Sequence, residues 1–150
     1  MDVKQIASNF QLIGSRIAEL SVKNGFVTLN PSMKTKKDLE LNHEIISIEH
    51  RDEQLVGVIQ LHLVVTLSEG KNKIRIKMKN EGCFVCNSEA GEERFEQMLL
   101  INGITALYGI ARAQILSISS QFFAEGNVIL PMVNVMEYSK RLNTEKNLTK

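Results

Sequence analysis

The sequence predicts an α+β protein, a four-stranded antiparallel sheet with a long helix packed on one face and a short helix at the C-terminal end. Three observations carry this. Apolar and polar residues alternate, in runs separated by polar turns, from Leu12 to Cys86. Between Met98 and Ala124 the only formally charged side chain is Arg112. The strands come first and the helices after them, which points to an antiparallel meander covered by helices rather than to a parallel α/β sheet.

Residues 1–9 carry little pattern and are expected to form a flexible arm. From Leu12 to Val22 a rough period of two gives the first strand, with Ala18, Leu20 and Val22 on one face. Gly25 to Lys37 holds Pro31 and the basic run Lys34, Lys36 and Lys37, a loop whose charge stays solvated. Leu39 to His50 is the second strand. Leu39, Leu41 and Ile45 share one parity and Ile46 and Ile48 the other, so a bulge or bend is expected near Ile45. A polar turn ending at Gln54 leads into the third strand, Leu55 to Leu67. Leu55, Gly57, Ile59, Leu61, Leu63, Val65 and Leu67 share one of its faces. Ser68 to Asn72 is a hairpin turn. In the fourth strand Ile74, Ile76 and Met78 point in, while Lys73, Arg75, Lys77 and Lys79 point out. It continues through Gly82, Phe84 and Cys86, and Gly82 marks a bulge or a place where something packs against bare backbone.

The acidic turn from Ser88 to Glu93 places carboxylates near the amino end of the long helix, where they are favourable. Along the stretch from Phe95 to Phe123, Ile101, Ile104, Tyr108, Ala111, Ile115, Ile118 and Phe122 recur at steps of three and four and form one stripe. Gly103, Ala106, Gly109, Ala113, Ser117 and Ser120 make a second face of small residues. A helix with two uncharged faces is expected between two layers, one of them supplied by a second subunit. The glycines at 103 and 109 weaken the helix and are expected to bend or break it. Asn102, Arg112, Gln114 and Gln121 interrupt the apolar run, so a membrane span is not expected. Val128 to Asn134 is an extended apolar linker, Val135 to Arg141 a last short helix, and 143–150 a flexible tail.

At 150 residues the chain is expected to be a single domain, and its net charge of +1 names no partner. The start, Met1-Asp2-Val3-Lys4, lacks a signal-peptide pattern, and two cysteines make no disulfide framework, so a cytoplasmic protein with reduced thiols is expected. Cys83 and Cys86 form a Cys-x-x-Cys pair. There is no second pair to complete a zinc site, and His43, His50 and His62 are scattered, so no metal is expected and the thiols are assigned to packing. No phosphate loop, catalytic triad or paired carboxylates stand out; neither an enzyme nor a cofactor is expected. The basic strand face lacks interleaved aromatics, which counts against nucleic acid. What remains is apolar surface in excess of one core, to be met by another subunit or by a client.

Several segments together resemble the SecB family of export chaperones. Asn9-Phe10-Gln11-Leu12 opens the first strand and Glu81-Gly82-Cys83-Phe84 closes the fourth. Leu107-Tyr108-Gly109-Ile110-Ala111-Arg112 sits in the long helix, and Gly126 and Leu130-Pro131-Met132-Val133-Asn134 follow it. The likeness is diffuse and spans about residues 9–140. It implies a homotetramer, a dimer of dimers with long helices at the tetramer interface, where Ile101, Ile104, Ala111, Ile115, Ile118 and Phe122 are expected. It implies an ATP-independent holdase that keeps unfolded polypeptides or preproteins in apolar grooves. Phe84, Val85, Tyr108, Leu130, Met132 and Val133 are the expected groove residues, each equally compatible with core packing.

The departures concern charge. Proteins of that family dock the SecA motor on an acidic surface of the first and fourth strands. Glu19 keeps one acid here, but Lys23, Arg75 and Lys77 stand at positions that are acidic or apolar in the family. A cationic strand would repel a basic docking tail, which counts against SecA as the partner. The family's helix-motif proline is Gly109. SecB-like proteins also serve as dedicated chaperones of antitoxins in toxin–antitoxin systems, a role that needs no motor site. A non-chaperone interaction subunit on the same fold is the alternative from another class.

Overall fold

The computed structural model describes residues 9–26, 32 and 34–148. Four antiparallel strands, β1 (Gln11–Asn24), β2 (Lys36–Arg51), β3 (Gln54–Glu69) and β4 (Asn72–Asn87), form one sheet in the order β1-β4-β3-β2. The long helix α1 spans Glu92–Ser119 and the last helix α2 spans Val135–Leu148. The expected arm at 1–9 lies almost wholly outside the described residues, as does much of the loop around Pro31.

The expected meander holds for β2, β3 and β4, which are joined by tight turns. β1 departs from it: it pairs with β4, not β2, with Asn24 opposite Ile74. The connection from Asn24 to Lys36 is long enough to cross the ends of β4 and β3, so no hairpin constrains it. Two bulges interrupt β1, between Leu12 and Gly14 and between Ile17 and Glu19. The second shifts Ala18 out of the ladder. Ile17 therefore joins Leu20 and Val22 on the helix-facing side, where periodicity alone had placed Ala18. The bulge expected near Ile45 is present between Ile45 and Ser47.

β3 and β4 supply the floor of the core. Leu55, Ile59, Leu61, Leu63, Ile74 and Ile76 are at most 1% exposed. Two glycines on this floor make room for the helix. A Cβ on Gly57 would lie 2.7 Å from both Phe95 Cε1 and Leu99 Cδ1, and one on Gly82 would lie 2.8 Å from Leu107 Cδ2. Real Cβ atoms do not approach that closely, so bare backbone lets Phe95, Leu99 and Leu107 seat. Phe10 stacks on Phe84 at 5.0 Å between centroids and tilts against Phe95 at 5.9 Å, closing that end of the core.

Asn87 caps a short 3-10 turn (Ser88–Ala90) by accepting from the Glu89 amide at 2.9 Å. Gly91, at φ +80°, then admits the chain to α1, with Glu92 and Glu93 in its first turn. α1 does not break at either glycine. It carries a π-helical turn over Leu99–Gly103 and continues as α-helix through Gly109. α1 is long and apolar enough to cross a membrane by length and composition, yet its stripe from Phe95 to Ser119 is seated on the sheet. α2 runs on to Leu148, through much of the segment expected to be a tail. No glycine or proline after Arg141 stops it, and Thr144 Oγ1 donates to the Lys140 carbonyl at 3.0 Å.

Candidate functional site

Three side chains on one face of α1 clasp the linker between the helices. Ser119 Oγ accepts from the Val128 amide at 2.7 Å. Arg112 Nε donates to the Leu130 carbonyl at 3.1 Å, and Tyr108 Oη donates to the Pro131 carbonyl at 2.7 Å. Positions 108, 112 and 119 share a face by helical spacing, and the linker runs back along them. Burial pushes the Tyr108 hydroxyl above its ordinary range, only partly opposed by Arg112, so it stays a donor at neutral pH. Val128 and Leu130 insert as pegs, 1% and 3% exposed, while the residues between and after them face solvent.

The result is an apolar rail. Ile129, Met132 and Met136 are 60%, 81% and 52% exposed. Arg112 Nη1 reaches Met132 Sδ at 2.8 Å. On the same side of the sheet a cleft of about 340 Å³ opens between β2, α1 and α2. Ile45, Leu100, Ile104 and Leu142 form its apolar lining, with Asn42, Glu44 and Glu96 contributing polar groups. His43 Nδ1 lies 2.9 Å from Tyr138 Oη across this cleft, the rings meeting edge-on. Long apolar surfaces with methionine suit adaptable, non-specific contact with extended chains.

The expected groove residues divide. Tyr108, Leu130 and Met132 come together at the clasp, the first two buried, and Val133 follows half-buried against the core. Phe84 is buried beneath α1, stacked on Phe10. Val85 points to the opposite face of the sheet, as the neighbour of an inward residue must. The expected interface residues divide as well. Ile104, Ala111 and Ile115 are at most 1% exposed against this chain's own sheet, while Ile101, Ile118 and Phe122 are half-buried. The face of α1 left open is Thr105, Gly109, Ala113, Leu116, Ser117 and Ser120, largely the small-residue face. Sequence reasoning missed Ser119 and the cleft at His43 and Tyr138. An uncharged serine in an apolar helix gives no signal of its partner, and the cleft joins residues ninety-five positions apart.

Cys83 is half-buried and Cys86 buried, on opposite faces of β4. Burial raises the Cys86 thiol, only partly offset by Arg94. A thiolate-selective reagent at pH 8 is expected to label Cys83 at least about tenfold faster than Cys86, read by mass spectrometry over time. Among the described residues no three His, Cys, Asp or Glu side chains gather as metal ligands.

The same architecture is found in a solved protein. The chain superposes on the Mycobacterium tuberculosis SecB-like chaperone Rv1957, solved with a peptide from the HigA1 antitoxin. The TM-score is 0.61 at 16% identity, over 83% of this chain and 91% of the other. The fold is SecB-like. A protein of unknown function from Streptococcus agalactiae also superposes, with a TM-score of 0.50 at 11% identity, over 82% of this chain and 97% of that one. No family model and no curated protein sequence matches. The SecB-like sheet and long helix are thus kept at an identity where single positions are not comparable. The site must be argued from this chain's own side chains.

Proposed function

We propose that this chain is a cytoplasmic, ATP-independent chaperone that holds unfolded polypeptide segments on the rail of Ile129, Met132 and Met136 and in the adjoining cleft. The observation that carries this reading is the rail itself: large apolar side chains held out to solvent by a linker whose backbone is clasped beneath them. A single core has no use for such exposure, whereas a client chain can bury it at about 25 cal/mol per Å². The SecB-like fold supports the reading. An oligomer, expected to be a tetramer, would form through the open face of α1 at Gly109, Ala113, Leu116 and Ser117, where small side chains permit close helix approach. A dedicated role toward one antitoxin is the second reading, supported by the antitoxin peptide bound to the mycobacterial chaperone.

Light scattering with and without a reduced, unfolded polypeptide tests this. The mass should be near four chains and should rise with unfolded but not with native protein. Replacing Ile129 and Met132 together with glutamate should weaken client binding about tenfold or more while leaving the unfolding transition in place, because both side chains are exposed. An oligomer that ignores unfolded chains would overturn general holding and favour the dedicated partner. Undiminished binding by the double variant would overturn the rail.

A further inference from the structure

The outer face of the sheet, turned away from the helices, is segregated by charge along β1 and β4. At one end Ile13, Gly14, Val58 and Cys83 line a shallow hollow of about 320 Å³, with Ser15, Arg16 and Glu81 completing its rim toward the middle of the face. In the middle, two acid–base pairs cross the strands: Arg16 Nε to Glu81 Oε1 at 3.0 Å and Lys79 Nζ to Glu19 Oε2 at 2.9 Å. At the far end the pattern stops. Lys23 stands directly opposite Arg75, and Ser21 opposite Lys77. None of Lys23, Arg75 and Lys77 makes an ion pair among the described residues. The nearest acid to Lys77 is its diagonal neighbour Glu19, already paired with Lys79, while the acids level with Arg75 and Lys77 on β2, Asp38 and Glu40, lie beyond Thr66 and Val64 of β3.

Like charges directly opposite on antiparallel strands are destabilising. The same strand pair solves that problem twice, at Arg16–Glu81 and at Glu19–Lys79, and leaves it unsolved at Lys23–Arg75. We infer that the outer face of β1 and β4 docks an acidic polypeptide segment, with an apolar side chain in the hollow and carboxylates over Lys23, Arg75 and Lys77. From Cys83 to Lys77 is six strand residues, about 20 Å at about 3.4 Å each, so an extended partner carries its acids about six residues from its apolar anchor. The hollow favours polypeptide over nucleic acid. So do Glu19 and Glu81, which would repel a continuous phosphate track, and so does the absence of any Phe, Tyr or Trp on this face of β1, β3 and β4, where His62 is the one ring.

This surface is separate from the rail and stands whether or not the rail holds clients. The probe is a fluorescent twelve-residue peptide with a leucine near one end and four glutamates beginning about six residues on, titrated against the full chain by anisotropy. Arg75→Glu with Lys77→Glu should weaken binding about tenfold or more, as should glutamine for glutamate in the peptide. Raising salt from about 50 to about 500 mM should do the same. Lys23→Glu places an acid opposite Arg75. It should hold or raise Tm while lowering affinity, an outcome that a merely solvated basic face does not give. No binding, binding indifferent to these substitutions, or tighter binding of a single-stranded oligonucleotide of equal charge would overturn the proposal, the last in favour of nucleic acid.

Discussion

Phe95→Ala is expected to destabilise the chain by about 3–5 kcal/mol, and Gly57→Ala by about 1–3 kcal/mol, yet the two together should cost less than their sum. Phe95 is fully buried and its ring edge occupies the space that a side chain at position 57 would need. Removing the ring leaves a cavity over the sheet. Adding a Cβ at 57 forces the ring and Leu99 aside. In the Phe95→Ala background the new methyl finds the vacated space, so at least about 0.5 kcal/mol should be recovered. Denaturant unfolding of the four proteins, with slopes compared for two-state behaviour, gives the cycle. Strict additivity would mean that Gly57 is glycine for a reason other than the seating of Phe95. The outcome matters for function, because Phe95 and Leu99 fix the height of α1 above the sheet and with it the cleft lined by Leu100 and Ile104.

The sheet was legible because alternation reports directly which face of a strand is buried. The inward sets on β3 and β4 follow their sequence parity residue for residue, and the bulge at Ile45 showed as a change of phase. The strand order was not legible in periodicity, since β1 alternates in the same way whether it lies beside β2 or β4. Its bulge moved Ala18 for the same reason: periodicity assumes an unbroken ladder. On α1 the stripe was read correctly as apolar but split unevenly between uses. Ile104, Ala111 and Ile115 are consumed by this chain's own sheet, and spacing cannot say which of two apolar faces a sheet will take. Gly82 gave a true signal, a bare backbone for something to pack on. Gly109 gave none, for a Cβ there would meet nothing within 4 Å. The rail was half legible: Met132 stood out as apolar in a linker, but its exposure depends on Val128 and Leu130 taking the inward positions.

That dependence leads to the second large effect expected. Ser119 is fully buried, and its hydroxyl is the acceptor for the buried Val128 amide. Ser119→Ala should cost about 1–3 kcal/mol, the range for a buried donor left without a partner. Arg112→Leu removes the donors to the Leu130 carbonyl and to Met132 while keeping an apolar stem, and should cost about 1.5–3 kcal/mol. Combined, they leave, among the described residues, the Tyr108 hydroxyl on the Pro131 carbonyl, the two pegs and the half-buried Val133 to hold the linker. The loss should be local. The Val128 amide is expected to exchange with solvent much faster, while the amides of β3 and β4, whose ladder the clasp does not touch, stay protected. Uniformly faster exchange would show instead that linker and sheet unfold as one unit. Local release would tie the clasp to the rail, for the backbone that Arg112 and Tyr108 hold is the backbone that presents Ile129 and Met132 to solvent. On the proposed function, the double variant should then lose polypeptide binding in step with linker protection while its sheet remains intact.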